Sequence, residues 1–343
     1  MRKSRWIVGL CVMALLTVFP GGTALAGKTV IKLATVEAAN LAESPALQAA
    51  TVFKNLVESR VGDRVEIKLF PGRQLGNERE LIEGLRMGTV EMAITSDGPV
   101  GGFFEPILVL GIPYAFPSAP IAWKVLDGPF GQELMEAMRK QTGIRCLAVT
   151  ENGFRHFTNS KHAVKTPADM KGLKIRTMEN PTHMAIVKAL GANPTPISFG
   201  ELYSSLQQGI VDGQENPVAV LYMMKGYEVQ KYLTLDGHVY NPSFLWMNDR
   251  VFEKLDAEAR NVFLEAGAVA GYVKRAGVAL AEATKLEEMV KKGLEVYTPT
   301  ADQIKAFQTA TQGPVLADLE KKIGKEWIEK MMTAIEEAQN AFK

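Results

Sequence analysis

The chain alternates two hydrophobic rhythms. Apolar residues crowd the short run from Thr29 to Val36, which predicts a strand. Leu47, Ala50, Phe53, Leu56 and Val57 then fall at helical spacing. They follow Ser44 and Pro45, a serine that can cap free amides and a proline suited to a first turn. Val65, Ile67 and Leu69 alternate on one face of a strand from Val65 to Phe70. Asn77 can cap a helix running through Met87, which Gly88 stops. Val90 to Thr95 is the next strand, broken by Gly98 and Pro99. This order predicts βαβ units, hence a largely parallel sheet with helices on its faces.

The middle of the chain repeats the theme. Thr166 to Asp169 has the form of a capping box opening a short helix that Gly172 ends. A strand from Leu173 to Thr177 and a helix near Thr182 to Leu190 follow. One internal echo stands out. Glu80, Leu81, Leu85, Gly88, Val90 and Glu91 recur at one constant offset as Glu201, Leu202, Leu206, Gly209, Val211 and Asp212. Two domains of similar build would produce such an echo. Ligands of open α/β sheets bind beyond the carboxyl ends of strands. The echo therefore sets Thr95 and Ser96 of one domain opposite Asn216 of the other. Asp256 to Lys343 is helical in character, rich in Ala, Glu and Lys, and carries no site signal.

The N-terminus reads as a separate segment. Arg2, Lys3 and Arg5 precede the apolar run Trp6 to Val18 and the small-x-small triplet Ala24-Leu25-Ala26. This predicts a secretory signal peptide over residues 1–26, cleaved after Ala26. No later segment holds 18 uncharged apolar residues, so a soluble mature chain is expected. Cleavage takes three of the 39 basic residues and none of the 38 acidic ones, for a net charge of −2. That balance, with no basic block, argues against nucleic acid or an anionic membrane as partner. Cys11 leaves with the signal. Cys146, in the apolar run Ile144 to Val149, reads as a buried structural thiol.

Catalytic and metal motifs are absent. There is no Gly-x-Ser-x-Gly, Walker loop, Gly-x-Gly-x-x-Gly, Cys-x-x-Cys or His-Glu-x-x-His. His156, His162, His183 and His238 are isolated in sequence and read as packing or surface residues. No metal or other cofactor is expected, and no enzymatic activity.

The informative stretch is residues 151–217. Asn152 to Asn159 reads Asn-Gly-Phe-Arg-His-Phe-Thr-Asn, and Lys171 to Arg176 reads Lys-Gly-Leu-Lys-Ile-Arg. Leu206 to Asn216 contains Gln-Gln-Gly, then Val-Asp-Gly-Gln-Glu-Asn, and Phe70-Pro71-Gly72 stands earlier. Together these motifs resemble the solute-binding proteins of tripartite ATP-independent periplasmic (TRAP) transporters, in the dicarboxylate-binding (DctP) family. Arg176 ends a predicted strand where a cleft would lie. A guanidinium there suits a carboxylate through two parallel hydrogen bonds, or else a protein carboxylate. The resemblance implies the former, a salt bridge from Arg176 to the ligand. It also implies Arg155 as a second arginine of the site, Asn216 on the same carboxylate, and Phe199 as an aromatic wall. Glu215 either contacts the ligand through water or orders Arg155. Glu37 and Ser96, in segments that vary within the family, would set ligand choice, Glu37 by accepting from hydroxyl or amino groups. A dicarboxylate, a sugar acid, another monocarboxylate and a sulfonate all stay open.

The implied fold is α/β and periplasmic binding protein type II-like. Two α/β domains are joined by hinge strands near Val149 to Gly153 and His238 to Asn241, with a long helix spanning both. Domain I would comprise residues 27–151 plus 242–281, and domain II residues 152–241 plus 282–343. The resemblance implies a periplasmic monomer that carries a small organic acid to a small and a large TRAP membrane subunit. The rival readings are a secreted hydrolase or lyase acting on an organic acid, and a ligand-sensing module for a receptor.

Overall fold

The computed structural model describes residues 28–341; the predicted signal peptide lies outside them. Nine strands form one mixed sheet among the described residues. They are β1 (Thr29–Thr35), β2 (Val65–Phe70), β3 (Met92–Ser96), β4 (Ile144–Asn159), β5 (Lys174–Thr177), β6 (Asn193–Pro196), β7 (Gly213–Asn216), β8 (Tyr232–Asn248) and β9 (Glu295–Tyr297). The order is β2-β1-β3-β8-β4-β7-β5-β6, with β9 on β8. The helices are α1 (Pro45–Val61), α2 (Glu78–Met87), α3 (Ala119–Asp127), α4 (Pro129–Thr142), α5 (Pro181–Ala189), α6 (Phe199–Gln207), α7 (Val218–Met223), α8 (Asp249–Lys254), α9 (Ala257–Lys291), α10 (Ala301–Ile323) and α11 (Glu326–Asn340).

The sheet is less parallel than the pattern predicts. Strands β1, β2 and β3 pair in parallel, as do β5, β6 and β7. Between the two parallel groups run β4 and β8, antiparallel to each other and to their outer neighbours β7 and β3. These two strands are long enough to take part in both groups. Their pairing is interrupted by register shifts between Cys146 and Ala148, Glu151 and Gly153, and Arg155 and Phe157. Bulges of this kind bend a strand pair and raise its twist.

Capping chemistry fixes the helices near the site. Ser44 accepts from the Leu47 amide at 3.0 Å, and Glu80 Oε2 accepts from the Asn77 amide at 2.6 Å. The echoed units have the same local construction. Gly88 (φ 79°) and Gly209 (φ 69°) take the left-handed turn that favours glycine. Three residues on, Glu91 accepts the Lys32 amide at 2.8 Å and Asp212 the Lys174 amide at 2.9 Å. Each acid thus ties the start of β3 or β7 to the parallel strand beside it. Residues before Met92 still bond back to Gly84, which is why β3 starts later than Val90. The turn at Pro167–Met170 is a short 3-10 helix.

The apolar cores lie on the two faces of the sheet. One gathers Phe53, Val57, Ile67, Leu245 and Phe263 from α1, the sheet and α9. The other gathers Leu81, Leu108, Leu134, Phe244 and Trp246 and extends to Val315 and Ile335 of the C-terminal helices. Helix α9 packs on α1, β4 and α7, so it touches elements of both strand groups. Cys146 lies in β4 as the pattern predicts, half-buried, and its burial raises the thiol pKa.

Candidate functional site

A narrow cavity lies where the carboxyl ends of β1, β3, β5 and β7 converge. Six of the seven residues the sequence singles out line it: Glu37, Ser96, Arg155, Arg176, Phe199 and Asn216. The seventh, Glu215, lies behind Arg155. A larger, more open hollow lies between α4 and α9, lined by Arg139, Arg145 and Arg275. Each of these arginines is already paired, with Asp249, Glu253 or Asp127 among their partners. The candidate site is therefore the smaller, less open cavity.

The two arginines differ sharply. Arg155 is fully buried and makes four hydrogen bonds. Its Nε donates to the Glu215 carboxylate, Nη1 to Asn241 Oδ1 at 2.7 Å, and Nη2 to the Glu215 carbonyl and carboxylate. Arg176 is 2% exposed and donates only its Nε, to the Ile197 carbonyl at 2.8 Å. No carboxylate among the described residues accepts a hydrogen bond from it; Glu215, Glu78 and Glu179 act on it only through their charge. Burial, then the charge of Arg155, lowers its pKa to about 10. A buried guanidinium without a counter-ion is costly, and an incoming anion removes that cost.

The remaining residues divide into acceptors and walls. Glu37 Oε2 accepts from Ser44 Oγ (2.8 Å) and the Ala46 amide (3.0 Å), which ties it to the N-terminus of α1. Ser96 donates both its amide and its hydroxyl to Glu78, at 2.6 and 2.8 Å. Asn216 donates to Gln214 and keeps a second N–H. Phe199 opens α6, and Met178 and Met223 complete the apolar wall.

Sequence reasoning missed Glu78, Lys274 and Asn152 as lining residues. Glu78 is the first helical residue after the Asn77 cap, a position where an acid usually serves only the helix dipole. Lys274 comes from α9, where it looks like one lysine among many, yet it is 2% exposed.

A polar network lies beneath the cavity. Behind Arg155, Glu215 sits 3.5 Å from His183 and 3.4 Å from His238, and His238 bonds Asp236 at 2.9 Å. Burial works against ionising Glu215, but Arg155 and the two histidines hold its pKa well below the ordinary value. Burial likewise opposes a charge on His238, but Asp236 and Glu215 raise its pKa to about 9. Asp97 accepts from Asn241 through one oxygen, leaves the other without a partner, and is pushed up to about 7 by burial. So the histidines that are isolated in sequence partly converge in space. Among the described residues no group of three or more His, Cys, Asp or Glu is arranged to hold a metal ion.

Residues 37–322 match the family described as bacterial extracellular solute-binding protein, family 7 (DctP). The chain belongs to this family. A solute-binding protein of Verminephrobacter eiseniae is 42% identical over 287 residues, 83% of this chain and 84% of that one. The 2,3-diketo-L-gulonate-binding periplasmic protein YiaO of Escherichia coli (strain K12) is 37% identical, covering 73% of this chain and 76% of its own length. The crystal structure of a TRAP periplasmic solute-binding protein from Polaromonas sp. JS666, bound to D-erythronate, superposes with a TM-score of 0.84. It shares 38% identity and covers 89% of this chain and 98% of that one. Family membership bears out the mixed α/β binding-protein fold and the solute-binding function that the motifs imply. Among the described residues no helix is long and apolar enough to cross a membrane.

Proposed function

We propose that this protein is the extracytoplasmic binding subunit of a TRAP transporter, that it holds a small organic acid by a carboxylate on Arg176, and that it hands the acid to a membrane permease. The observation that carries the reading is the burial of Arg176 with its terminal nitrogens free of any protein carboxylate. A bidentate carboxylate there supplies charge-assisted bonds of roughly 1.5–3 kcal/mol each. Asn216 offers a further N–H to the same group, Phe199 walls the chain of the ligand, and Arg155, fixed by Glu215, adds positive potential from behind. The acids bound by the Escherichia coli and Polaromonas relatives support this class of ligand.

Because Arg176 is 2% exposed, the acid enters only if the two sides of the cavity part. The bulges of β4 at Glu151–Gly153, opposite Asn241 and Pro242, are the natural hinge. They support a division into residues 27–151 plus 242–281 and residues 152–241 plus 282–343, with α9 spanning both and hinge closure over the ligand. No hydroxyl lining the cavity is bonded to a histidine: Ser96 meets Glu78, Thr95 meets Trp246 and a carbonyl, and Thr35 accepts from the Glu37 amide. This supports binding without chemistry. In this reading the chain is exported by its N-terminal signal peptide and acts as a monomer in the periplasm. Its partners are a small and a large membrane subunit.

The test is thermal unfolding against a library of organic acids. At a thousand times Kd the cognate acid adds about 4 kcal/mol of stability. Arg176→Ala should weaken binding about a hundredfold while keeping the ligand-free melting temperature within a few degrees. If no acid stabilises the protein, or Arg176→Ala binds as tightly, the reading is wrong.

A further inference from the structure

The fixed charges of the cavity restrict what can lie beyond the carboxylate on Arg176. Three cations line it, Arg155, Arg176 and Lys274. Three carboxylates answer them: Glu37 and Glu78 in the wall, and Glu215 behind Arg155. Arg155 belongs to Glu215. Lys274 has three N–H donors and three acceptors around it: Asn152 Oδ1 at 2.9 Å, Ser243 Oγ at 2.7 Å and Glu37 Oε1 at 3.4 Å. Arg176 alone of the three has no carboxylate partner.

The cavity has two poles. A side hollow lined by Asn77, Glu78, Ile197 and Ser198 opens beside Arg176. A separate one lined by Pro45, Asn152 and Val278 opens beside Glu37. The Glu37–Lys274 pair therefore stands at the end away from Arg176. Glu37 Oε1 carries only the long contact to Lys274, since Oε2 holds the Ser44 and Ala46 bonds. That oxygen still has acceptor capacity for a hydroxyl. A ligand carboxylate at the same spot meets a buried like charge whose counter-ion is already engaged.

From this we infer that the site takes a polyhydroxylated monocarboxylate and rejects the same carbon chain carrying a second carboxylate, with Glu37 as the discriminating residue and Lys274 as its positioning residue. This rests on the Arg176 reading above. Glu37 accepts from a hydroxyl at the far end of the acid. Lys274 neutralises Glu37 within the protein and so is withheld from the ligand.

The experiment is calorimetric titration with matched pairs that differ only at the terminal carbon. Each pair sets an aldonate (terminal hydroxymethyl) against the aldarate of the same configuration (terminal carboxylate), at four, five and six carbons. The wild-type protein should bind the aldonate at least about tenfold more tightly than its aldarate. Glu37→Gln removes the negative charge and releases the Lys274 ammonium, so the preference should shrink about tenfold or invert. Lys274→Gln leaves Glu37 without its counter-ion, so the preference should widen. The ratio is read within one protein, so a general loss of affinity cancels, and the opposite signs of the two variants are not what simple destabilisation gives. If acids bind through Arg176 but aldarates bind as well as aldonates, or both variants leave the ratio unchanged, the inference is overturned. If no acid binds, or binding survives Arg176→Ala, it is the Arg176 reading that fails.

Discussion

Arg155 and Arg176 carry the same side chain on strands of the same sheet and do different work. The first is held by Glu215 and Asn241; the second bonds only the Ile197 carbonyl, and in the proposed reading its terminal nitrogens serve an anion. The sequence motif makes both visible but cannot say which one is spent, because the deciding partners depend on how β4, β7 and β8 are paired. Lys274 was invisible for a related reason: in an Ala/Glu/Lys-rich helix nothing local separates a buried lysine from a solvated one. The network behind Arg155 gives a prediction at this scale. The folded pKa of His238, about 9, lies above the 6.5 of a free imidazole, so the folded state holds the proton more tightly. Its contribution to stability is complete below about pH 6.5 and is lost as pH rises through about 9. Urea unfolding between these values should show a falling free energy in the wild type and a flatter profile in His238→Gln. Equal slopes would mean that the imidazolium is not held by Asp236 and Glu215.

At the scale of elements, the capped helices and the βαβ units were legible because their signals are local: Ser44, Asn77 and the glycines at 88 and 209. The pattern does not reveal strands β4 and β8 at their full 16 and 17 residues. Each bulge shifts the two-residue alternation to the other face, so no single period runs the length of β4. The echoed unit also shows where the backbone is tight. A Cβ on Gly213 would lie 2.1 Å from the Thr158 carbonyl oxygen across the β4–β7 pair, whereas one on Gly209 would meet open space. Gly213→Ala should therefore cost roughly 1–3 kcal/mol. Gly209→Asn should cost less than about 1 kcal/mol, because asparagine tolerates the left-handed turn. Denaturant midpoints at unchanged m-values check both, and equal costs would contradict the packing described for β7.

At the scale of the molecule, the cavity lies at the strand ends of both parallel groups and just beside the bulged strands that connect them. Its walls come from segments far apart in the chain: Glu37, Ser96, Arg176, Asn216 and Lys274 meet only when the whole fold is assembled. The family resemblance anticipated most of this set. What it left open was the balance of charge, because that depends on which ions the folded protein has already paired. The most direct measurement is a crystal structure of the protein with the acid that stabilises it most. The account predicts one ligand carboxylate about 3 Å from both terminal nitrogens of Arg176. Its far hydroxyls should turn toward Glu37, and the Arg155–Glu215 pair should be unchanged. A ligand whose carboxylate rests on Lys274 or Arg155, with Arg176 paired to a protein acid, would contradict it.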